Sequence, residues 1–341
     1  MAGISMRELA ESLGVSVASV SVALRGKSGI SEETRVRILE EAKKRGYDMT
    51  KLSVSESKGI IEIIDYTYYN HKAGATKEMF TYYTQFINAA TAAIEEYGYQ
   101  ISGPYNPKEP GFLSRPNASG AILLGAAISK EELELYRKGK KPFVVSGNSM
   151  NRMAVNTVSH DNYYGIAVAL DHLISLGHEK VGYICSVGGN IGTERYHAFL
   201  SEMAIKQLVP ANYLDLRKEE ADSMLNVIND WLDQNKLEAT AIICDNDFIA
   251  ASMMRALRDH EMVPGKDVSV IGFDDQPFSA LLEPPLTTVR TYEAELGAVS
   301  VEQLVYCLEH PGCKFRHVYV GTELVTRVST CSVHHKNKVD V

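Results

Sequence analysis

Short apolar runs alternate with amphipathic segments from Gly59 onward, and this alternation limits the fold more than any other feature of the chain. The runs at 59–65 and 180–187 are short and rich in β-branched residues, as buried strands are. Segments of helical period separate such runs, for example 162–176, which ends before Gly177. Strands that alternate with helices form βαβ units and parallel sheets. The pattern therefore predicts an α/β body.

The body is long enough for two sheets. A second strand–helix series begins at about Lys180, which predicts two lobes, each a parallel sheet flanked by helices. Segment 154–161 (AVNTVSHD) is expected to be a partly exposed strand. In open α/β sheets the ligand lies at the carboxyl ends of the strands, so the cleft between the lobes is the expected site. The other expected strands are 120–125, 142–147, 239–246 and 267–275, and the other expected helices are 80–97, 193–206, 247–260 and 293–309.

Polar side chains follow several of these strands. Arginine presents a rigid fork of donors and aspartate a set of acceptors, a combination that suits adjacent hydroxyls of a sugar. Three alternatives stay open: Asp247 caps the helix that it begins, Asp275 is a turn residue, and Arg195 is an isolated surface charge. The candidate ligand-binding residues are Asn148, Arg195, Asn246, Asp247 and Asp274.

The segment from Asp65 to Phe80 (DYTYYNHKAGATKEMF) is rich in tyrosine. Aromatic faces suit the C–H side of a sugar or a base, so Tyr66, Tyr68 and Tyr69 are candidates to stack on a bound ring. The alternative is that these rings pack the segment onto its lobe.

The first 47 residues predict three short helices separated by Gly and Ser. Ser5 and Glu8 form a capping box before the first helix, which Gly14 ends. Ser16 and Ser31 cap the next two. Two short helices joined by about three residues, with a supporting third, form a helix-turn-helix; the alternative is an ordinary three-helix cap on a larger domain. The third helix is expected to bury Val36, Ile38, Leu39 and Ala42.

The second of these helices carries small side chains on its expected exposed face. Small side chains let a helix backbone approach base edges in a major groove about 12 Å wide. Serine hydroxyls bond bases or phosphates, and Ala or Val contacts thymine methyl groups. Residues 1–52 hold nine Lys/Arg against seven Asp/Glu in a chain of net charge −8, a mildly basic head that suits phosphate. The expected groove-facing residues are Ser16, Val17, Ala18, Ser19, Ser21 and Val22.

The head (MRELAESLGVSVASVSVALRGKSGISEETRVRILEEAKKRGY) closely resembles the DNA-binding head of the lactose/galactose repressor (LacI/GalR) family of bacterial transcription regulators. The resemblance implies that the helix beginning near Val17 reads the operator and that Ser5 contacts a phosphate. Val22 stands where the family usually has an Arg, which predicts a different base pair at that operator position. In the hinge, Glu56 replaces the Leu that wedges into the minor groove, and Leu52 is the substitute candidate.

The resemblance continues through the body, over residues 4–330 in all, and implies the type I periplasmic-binding-protein fold. The segments VSHDNYYGIAVALDHLISLGHEKVGYI, TERYHAF, ICDNDFIA, DVSVIGFDD, PPLTTVRTYEAELG and LVTRVST occur in the order of the family. It implies effector contacts at Arg195, Asn246, Asp274 and Asn148. The expected domains are a helix-turn-helix domain (1–47), a hinge (48–58), a two-lobed effector-binding and dimerisation domain (59–331) and a tail (332–341).

Other classes of protein find little support. No apolar run reaches the roughly 18 residues of a membrane span, and no secretory signal precedes the head, so a cytoplasmic location is expected. Five scattered cysteines fit reduced thiols. Loop 188–192 lacks the G-K-[ST] of a phosphate-binding loop, and we find no catalytic triad, so no enzyme activity and no metal or other cofactor is expected. His334 and His335 are expected to be solvated.

The sequence thus predicts a DNA-binding regulator, most simply a repressor, that responds to a small molecule. A single short helix reads few base pairs, so we expect a homodimer on a near-palindromic operator. A sugar is the expected effector; a purine or nucleoside, or a protein corepressor, is the alternative. A solute-binding protein without a DNA role is the alternative from another class, and an enzyme on an α/β scaffold is the third.

Overall fold

The structure is a computed structural model that describes residues 4–24, 30–47, 57–66, 79–107, 117–125, 128–150, 153–185, 190–216 and 224–333. The chain divides into two compact units, Met1–Lys58 and Gly59–Val341. We call them the head and the body. The further division into a hinge and a tail stays a prediction.

The described part of the head contains three helices: α1 (Met6–Leu13), α2 (Val17–Leu24) and α3 (Glu32–Lys44). The predicted capping box is confirmed, because the Ser5 hydroxyl accepts from the Glu8 N–H at 3.3 Å and the Glu8 carboxylate accepts from the Ser5 N–H at 2.8 Å. Gly14 ends α1 at a φ of 63°, a left-handed conformation that glycine adopts without strain.

The core of the head is small. Leu9, Val20 and Ile38 come from three different helices and are fully buried in it. The expectation that Val36 and Leu39 are buried is wrong, because they are 45% and 37% exposed. A core this small covers only one narrow stripe of α3.

The body contains two sheets. Among the described residues, the first has six strands in the order β11-β5-β4-β3-β1-β2, all pairs parallel. The helices α4 (Met79–Glu96) and α10 (Glu293–Glu309) pack against each other on this sheet, and α5 (Lys130–Lys138) follows β3. The strands are β1 (Ile60–Asp65), β2 (Gln100–Tyr105), β3 (Ala118–Leu124), β4 (Phe143–Ser146), β5 (Asn156–His160) and β11 (His317–Val320).

The second sheet, again counting described residues only, has six strands in the order β12-β10-β9-β8-β6-β7, and only the β10–β12 pair is antiparallel. Its strands are β6 (Val181–Cys185), β7 (Tyr213–Asp215), β8 (Ala241–Cys244), β9 (Ser269–Asp274), β10 (Thr287–Arg290) and β12 (Glu323–Val325). Its helices are α6 (Asn162–Ser175), α7 (Asn190–Ile205), α8 (Met224–Gln234) and α9 (Asp247–Asp259). We call the two sheets with their helices lobe 1 and lobe 2.

The predicted α/β class and two lobes are confirmed, but lobe 2 does not simply begin at Lys180. Helix α6 packs on α7 in lobe 2, whereas α10 returns to lobe 1. The chain therefore crosses between the lobes near 161, near 291 and near 321. Strand β5, expected to be partly exposed, is almost entirely buried because it lies between β4 and β11.

Candidate functional site

The start of α2 is an exposed surface of the head. The Ser16 hydroxyl accepts from the Ser19 N–H at 3.0 Å and lies 2.8 Å from the Ser19 hydroxyl, so the two serines cap the helix together. Val17 is 46% exposed. Ser21 and Val22 are half-buried, while Val20 faces the core. The face expected to meet DNA is therefore open at its first turn.

The remaining expected DNA contacts are Ser5, Ala18 and Leu52. The structure describes the backbone of Ala18 but not its side chain, and Leu52 lies outside the described residues. The Ser5 hydroxyl lies 2.7 Å from Glu8 Oε2. Hydrogen bonds from the Ser5 backbone and then from its hydroxyl lower the pKa of Glu8. The phosphate contact expected at Ser5 would therefore lie beside a carboxylate.

Arg195 joins the lobe 2 elements that border the cleft. Its side chain is 7% exposed. Nε donates to Asn162 Oδ1 at 2.8 Å, a second nitrogen donates to the Asp245 carbonyl, and Nη2 donates to Asp274 Oδ1 at 3.1 Å. The guanidinium carbon lies 3.7 Å from the centroid of the Phe273 ring. The interpretation of Arg195 as an isolated surface charge is therefore wrong.

Asp274 ends β9 in an unusual backbone conformation. Its φ is 105°, which costs a non-glycine residue about 1–3 kcal/mol. Burial raises the pKa of its carboxyl to about 6, although Arg195 acts to lower it. Its neighbour Asp275 bonds Arg290 at 2.7 Å and Arg327 at 2.6 Å. Two adjacent carboxylates thus face different arginines at the end of one strand.

Asp247 does not have the role expected of it. It is completely buried, and its carboxylate accepts from the Gln276 N–H at 2.7 Å, the Ser279 hydroxyl at 2.6 Å and the Thr288 hydroxyl. All its partners belong to lobe 2, so it anchors the segment after β9 instead of facing an effector. It does not cap α9 either. Asn246 does so, accepting from the Ile249 N–H at 2.9 Å.

Two further residues that were expected to contact an effector, Tyr66 and Asn148, are buried in the interior of the protein. Tyr66 is 1% exposed in a core of lobe 1, and its hydroxyl lies 3.3 Å from that of Tyr136. Stacking on an effector is therefore wrong for Tyr66, and packing is correct; Tyr68 and Tyr69 lie outside the described residues. Asn148 is 1% exposed and accepts from the Met150 N–H at 3.2 Å. It shapes the turn after β4, and an effector contact there stays a prediction.

A cavity of about 380 Å³ opens at the junction of the lobes. This volume lies near the lower end of the range of small-molecule sites, about 300–1,000 Å³. Its walls come from α4, from the segment after β9 and from the crossing segment that leads into α10. The lining residues are Gln85, Asp274, Asp275, Gln276, Pro277, Arg290, Thr291, Tyr292, Glu293, Ala294 and Glu295.

Sequence reasoning missed three groups beside this cavity. His160 Nε2 lies 3.3 Å from Glu293 Oε1, and both residues are buried. Burial and the charge of Arg195 lower the pKa of His160 to about 3. Burial, followed by Glu293, Asp274 and Asp65, raises the pKa of Tyr83, while Arg195 lowers it. The sequence indicates only where His160 lies, because His160, like Asp65, is the last residue of a parallel strand.

In the part of the chain that the structure describes, no group of three or more His, Cys, Asp or Glu side chains is placed to hold a metal ion. No described helix has the length and apolarity that crossing a bilayer requires.

Asp247→Asn tests how the contribution of Asp247 to the stability of lobe 2 depends on pH. Burial, then the charge of Asp274, raises the pKa of Asp247 to about 7, above its unfolded value of about 3.9. The folded state therefore binds the proton more tightly, so this group's contribution to stability is greatest below about pH 4 and is lost toward pH 7. We expect the unfolding free energy of the wild type, relative to Asp247→Asn, to fall across that window. Denaturant unfolding of both proteins at several pH values measures the difference, and a constant difference contradicts the pKa shift.

Two protein families match the chain. The family described as bacterial regulatory proteins, lacI family, matches residues 5–48, and the periplasmic binding protein-like domain matches residues 170–330. The HTH-type transcriptional regulator MalR of Streptomyces coelicolor is 27% identical, over 96% of each chain. The HTH-type transcriptional repressor PurR of Haemophilus influenzae is 25% identical, over 96% of this chain and 99% of the relative.

Solved structures share the fold. A Lac repressor dimer bound to operator and the anti-inducer ONPF has a TM-score of 0.67 at 19% identity, covering 97% of this chain and 100% of that one. A complex of the transcriptional regulator CelR with cellobiose has a TM-score of 0.68 at 20% identity, covering 96% and 99%. The type I periplasmic-binding-protein architecture expected for the body is thereby confirmed.

Proposed function

We propose that this chain, which belongs to the lacI family of bacterial regulatory proteins and is a DNA-binding transcriptional regulator, is a repressor whose affinity for operator DNA is set by a small molecule bound between the lobes. The effector is a sugar, and the protein acts in the cytoplasm as a homodimer on a near-palindromic operator. The alternative within this class is a purine, a nucleoside or a protein corepressor.

The observation that carries the DNA-reading part is the open first turn of α2. Val17 is 46% exposed on a helix whose opposite face closes the core of the head. A structural cap would bury this turn against its neighbours, whereas a recognition helix must leave it accessible to base edges. The groove-facing set Ser16, Val17, Ala18, Ser19, Ser21 and Val22 is our proposal for the operator contacts.

The lobe junction supports the sensing part. Arg195 and Asp274 meet at the carboxyl end of β9, where the cavity opens. An arginine whose N–H donors face a carboxylate suits adjacent hydroxyls of a sugar. One solved structure of similar fold is a complex with cellobiose. Effector binding favours one relative arrangement of the lobes, and a coupling of about 1–3 kcal/mol changes operator affinity about 5- to 150-fold.

A gel-shift assay on DNA from upstream of the chain's own gene tests this function. A sequence-specific shift that a sugar strengthens or weakens supports the proposal. The absence of any specific shift, with or without sugars, contradicts it. Calorimetry with monosaccharides, disaccharides and purines then distinguishes the effector classes.

Val17→Asp should weaken operator binding about 100-fold, because like charges brought together at an interface cost several kcal/mol. Stability should change little, since Val17 is 46% exposed and an acidic residue in the first turn of a helix is favourable. The matched control is Val36→Asp, the same change at a 45% exposed position on α3. Titration of operator DNA with both variants measures the effect, and equal losses would refute the assignment of α2.

A further inference from the structure

Two of the five cysteines of the chain lie beside each other in lobe 1. Cys307 belongs to the last turn of α10, and Cys313 belongs to the short connection that leads from α10 to β11. A hydrogen bond joins their side chains, so the two sulfur atoms are in contact. Neither forms a disulfide. The structure therefore shows two reduced thiols placed side by side.

The connection that carries Cys313 is a tight turn. The His310 N–H donates to the Tyr306 carbonyl at 3.0 Å, and the Cys313 N–H donates to the His310 carbonyl at 3.0 Å. Gly312 has a φ of 85°, a conformation that glycine adopts without strain. The backbone of the turn thus returns Cys313 to the end of the helix that contains Cys307.

A network of hydrogen bonds holds Cys307 from its other side. Its sulfur accepts from Gln303 Nε2 at 3.6 Å, and the same nitrogen donates to Asn156 Oδ1 at 3.0 Å. Asn156 Oδ1 also accepts from the Arg316 N–H at 3.0 Å. The network joins α10, β5 and the residue before β11, so the Cys307 sulfur has little freedom to turn away from Cys313.

The two thiols differ in their access to solvent. Cys307 is 6% exposed, whereas Cys313 is partly exposed. Burial, followed by the hydrogen bond to Cys313, raises the pKa of Cys307 to about 11. Cys307 is therefore protonated near pH 7 and shielded from solutes. An oxidant in solution reaches Cys313 first.

Positive charge lies near the pair. The charge of Arg316 acts to lower the pKa of Cys307, so it reaches the sulfur atoms. The guanidinium carbon of Arg316 lies 3.7 Å from the centroid of the Tyr306 ring, which fixes its position. Lys314 follows Cys313 directly and is exposed. Reactive cysteines occupy partly exposed, electropositive surroundings of this kind, because positive charge stabilises the thiolate.

We propose that Cys307 and Cys313 form a reversible redox pair, which a peroxide converts into a disulfide that joins the end of α10 to the turn before β11. The Cys313 thiolate attacks one oxygen of hydrogen peroxide and breaks the O–O bond, which gives a sulfenic acid and, after protonation, water. The Cys307 sulfur then attacks the Cys313 sulfur. The S–S bond forms, the S–O bond breaks, and the hydroxide leaves as water with the proton of Cys307. Two thiols and one peroxide give one disulfide and two waters.

A pair of this kind fits the cytoplasm proposed for this chain. Disulfides of cytosolic proteins are usually transient and catalytic or redox-sensing, because the compartment returns them to thiols. The inference needs neither DNA nor effector. If it fails, the proposed regulatory function is unaffected, and the reverse also holds.

The test is treatment of the reduced, full-length protein with stoichiometric hydrogen peroxide, followed by peptide mass spectrometry without reductant. We expect an intramolecular Cys307–Cys313 disulfide and a fall in free thiols from five per chain to three. Dithiothreitol should restore all five. Oxidation of the protein without this disulfide, or a disulfide only between chains, overturns the proposal.

Single substitutions test the order of the two steps. In Cys307→Ser the reaction should stop at the sulfenic acid of Cys313, which dimedone traps. In Cys313→Ser the buried Cys307 should stay reduced. Dimedone labelling elsewhere than at Cys313, or oxidation of Cys307 in Cys313→Ser, overturns the assignment. Cys313→Ser remains decisive if Cys307→Ser does not fold, because the side chain of Cys313 is partly exposed.

The matched control is Cys331→Ser. Cys331 is also partly exposed, but its sulfur lies 3.5 Å from the Lys266 carbonyl and 3.8 Å from the Ser269 hydroxyl. Among the described residues no second thiol is recorded beside it. Cys331→Ser should form the Cys307–Cys313 disulfide as the wild type does, and loss of the disulfide in this variant contradicts the pairing.

Discussion

Arg195→Ala abolishes the response to effector and lowers the free energy of unfolding of the body by about 3–5 kcal/mol, the usual cost of removing one partner of a buried ion pair. The substitution leaves the Asp274 carboxylate, which is 16% exposed, without its cation and removes the donors to Asn162 and to the Asp245 carbonyl. Operator binding in the absence of effector should persist where the protein is folded, because the helices of the head are complete without the body.

Two measurements check this result. Denaturant unfolding gives the loss of stability, and the ratio of operator affinities with and without the calorimetrically identified effector gives the response. Arg255→Ala is the control, since that arginine is 65% exposed and pairs with Asp259 of the same helix at 2.9 Å. An exposed pair of this kind contributes less than about 1 kcal/mol. A normal response in Arg195→Ala would place the effector elsewhere.

Gly272→Ala should destabilise the body by about 3 kcal/mol, the upper part of the usual range for overpacking a core. The added Cβ would lie 2.2 Å from Asp247 Oδ1 and 2.9 Å from Leu286 Cδ2. The carboxylate cannot move aside freely, because hydrogen bonds from Gln276, Ser279 and Thr288 hold it. The clash would therefore disturb the segment after β9, which begins directly after Asp274.

Gly321→Ala is the matched control for this change. A Cβ added there meets no atom within 4 Å, so we expect a change of less than about 0.5 kcal/mol. Thermal or denaturant unfolding of the two variants compares them. If Gly272→Ala is as stable as Gly321→Ala, the hydrogen bonds from Gln276, Ser279 and Thr288 do not hold the Asp247 carboxylate rigidly.

Local patterns predicted the features that depend on neighbours in sequence. Helix α10 has the predicted bounds, 293–309, and the Ser5–Glu8 capping box forms as expected. Both depend on helical period and on contacts three or four residues apart. The prediction for β5 was wrong about exposure because its burial depends on β11, far along the chain.

The chemistry of the site could be predicted only in part. The sequence predicts Arg195 and Asp274 at the cleft, and the structure brings them together at 3.1 Å. Their contact with an effector stays a prediction. Asp247 was misassigned because its partners Gln276 and Thr288 are close only after folding. The position of His160 at the end of a strand is visible in the sequence, but its pairing with Glu293 is not, since nothing local indicates that the end of β5 meets the start of α10.

The three crossings between the lobes have a consequence for synthesis of the chain. Residues 293–325 supply α10 and β11 to lobe 1 and β12 to lobe 2. Neither lobe can be finished while these residues are still inside the ribosome. The core of the head contains only residues of the head among those described, so a nascent chain can complete this DNA-binding unit before either lobe of the body is finished.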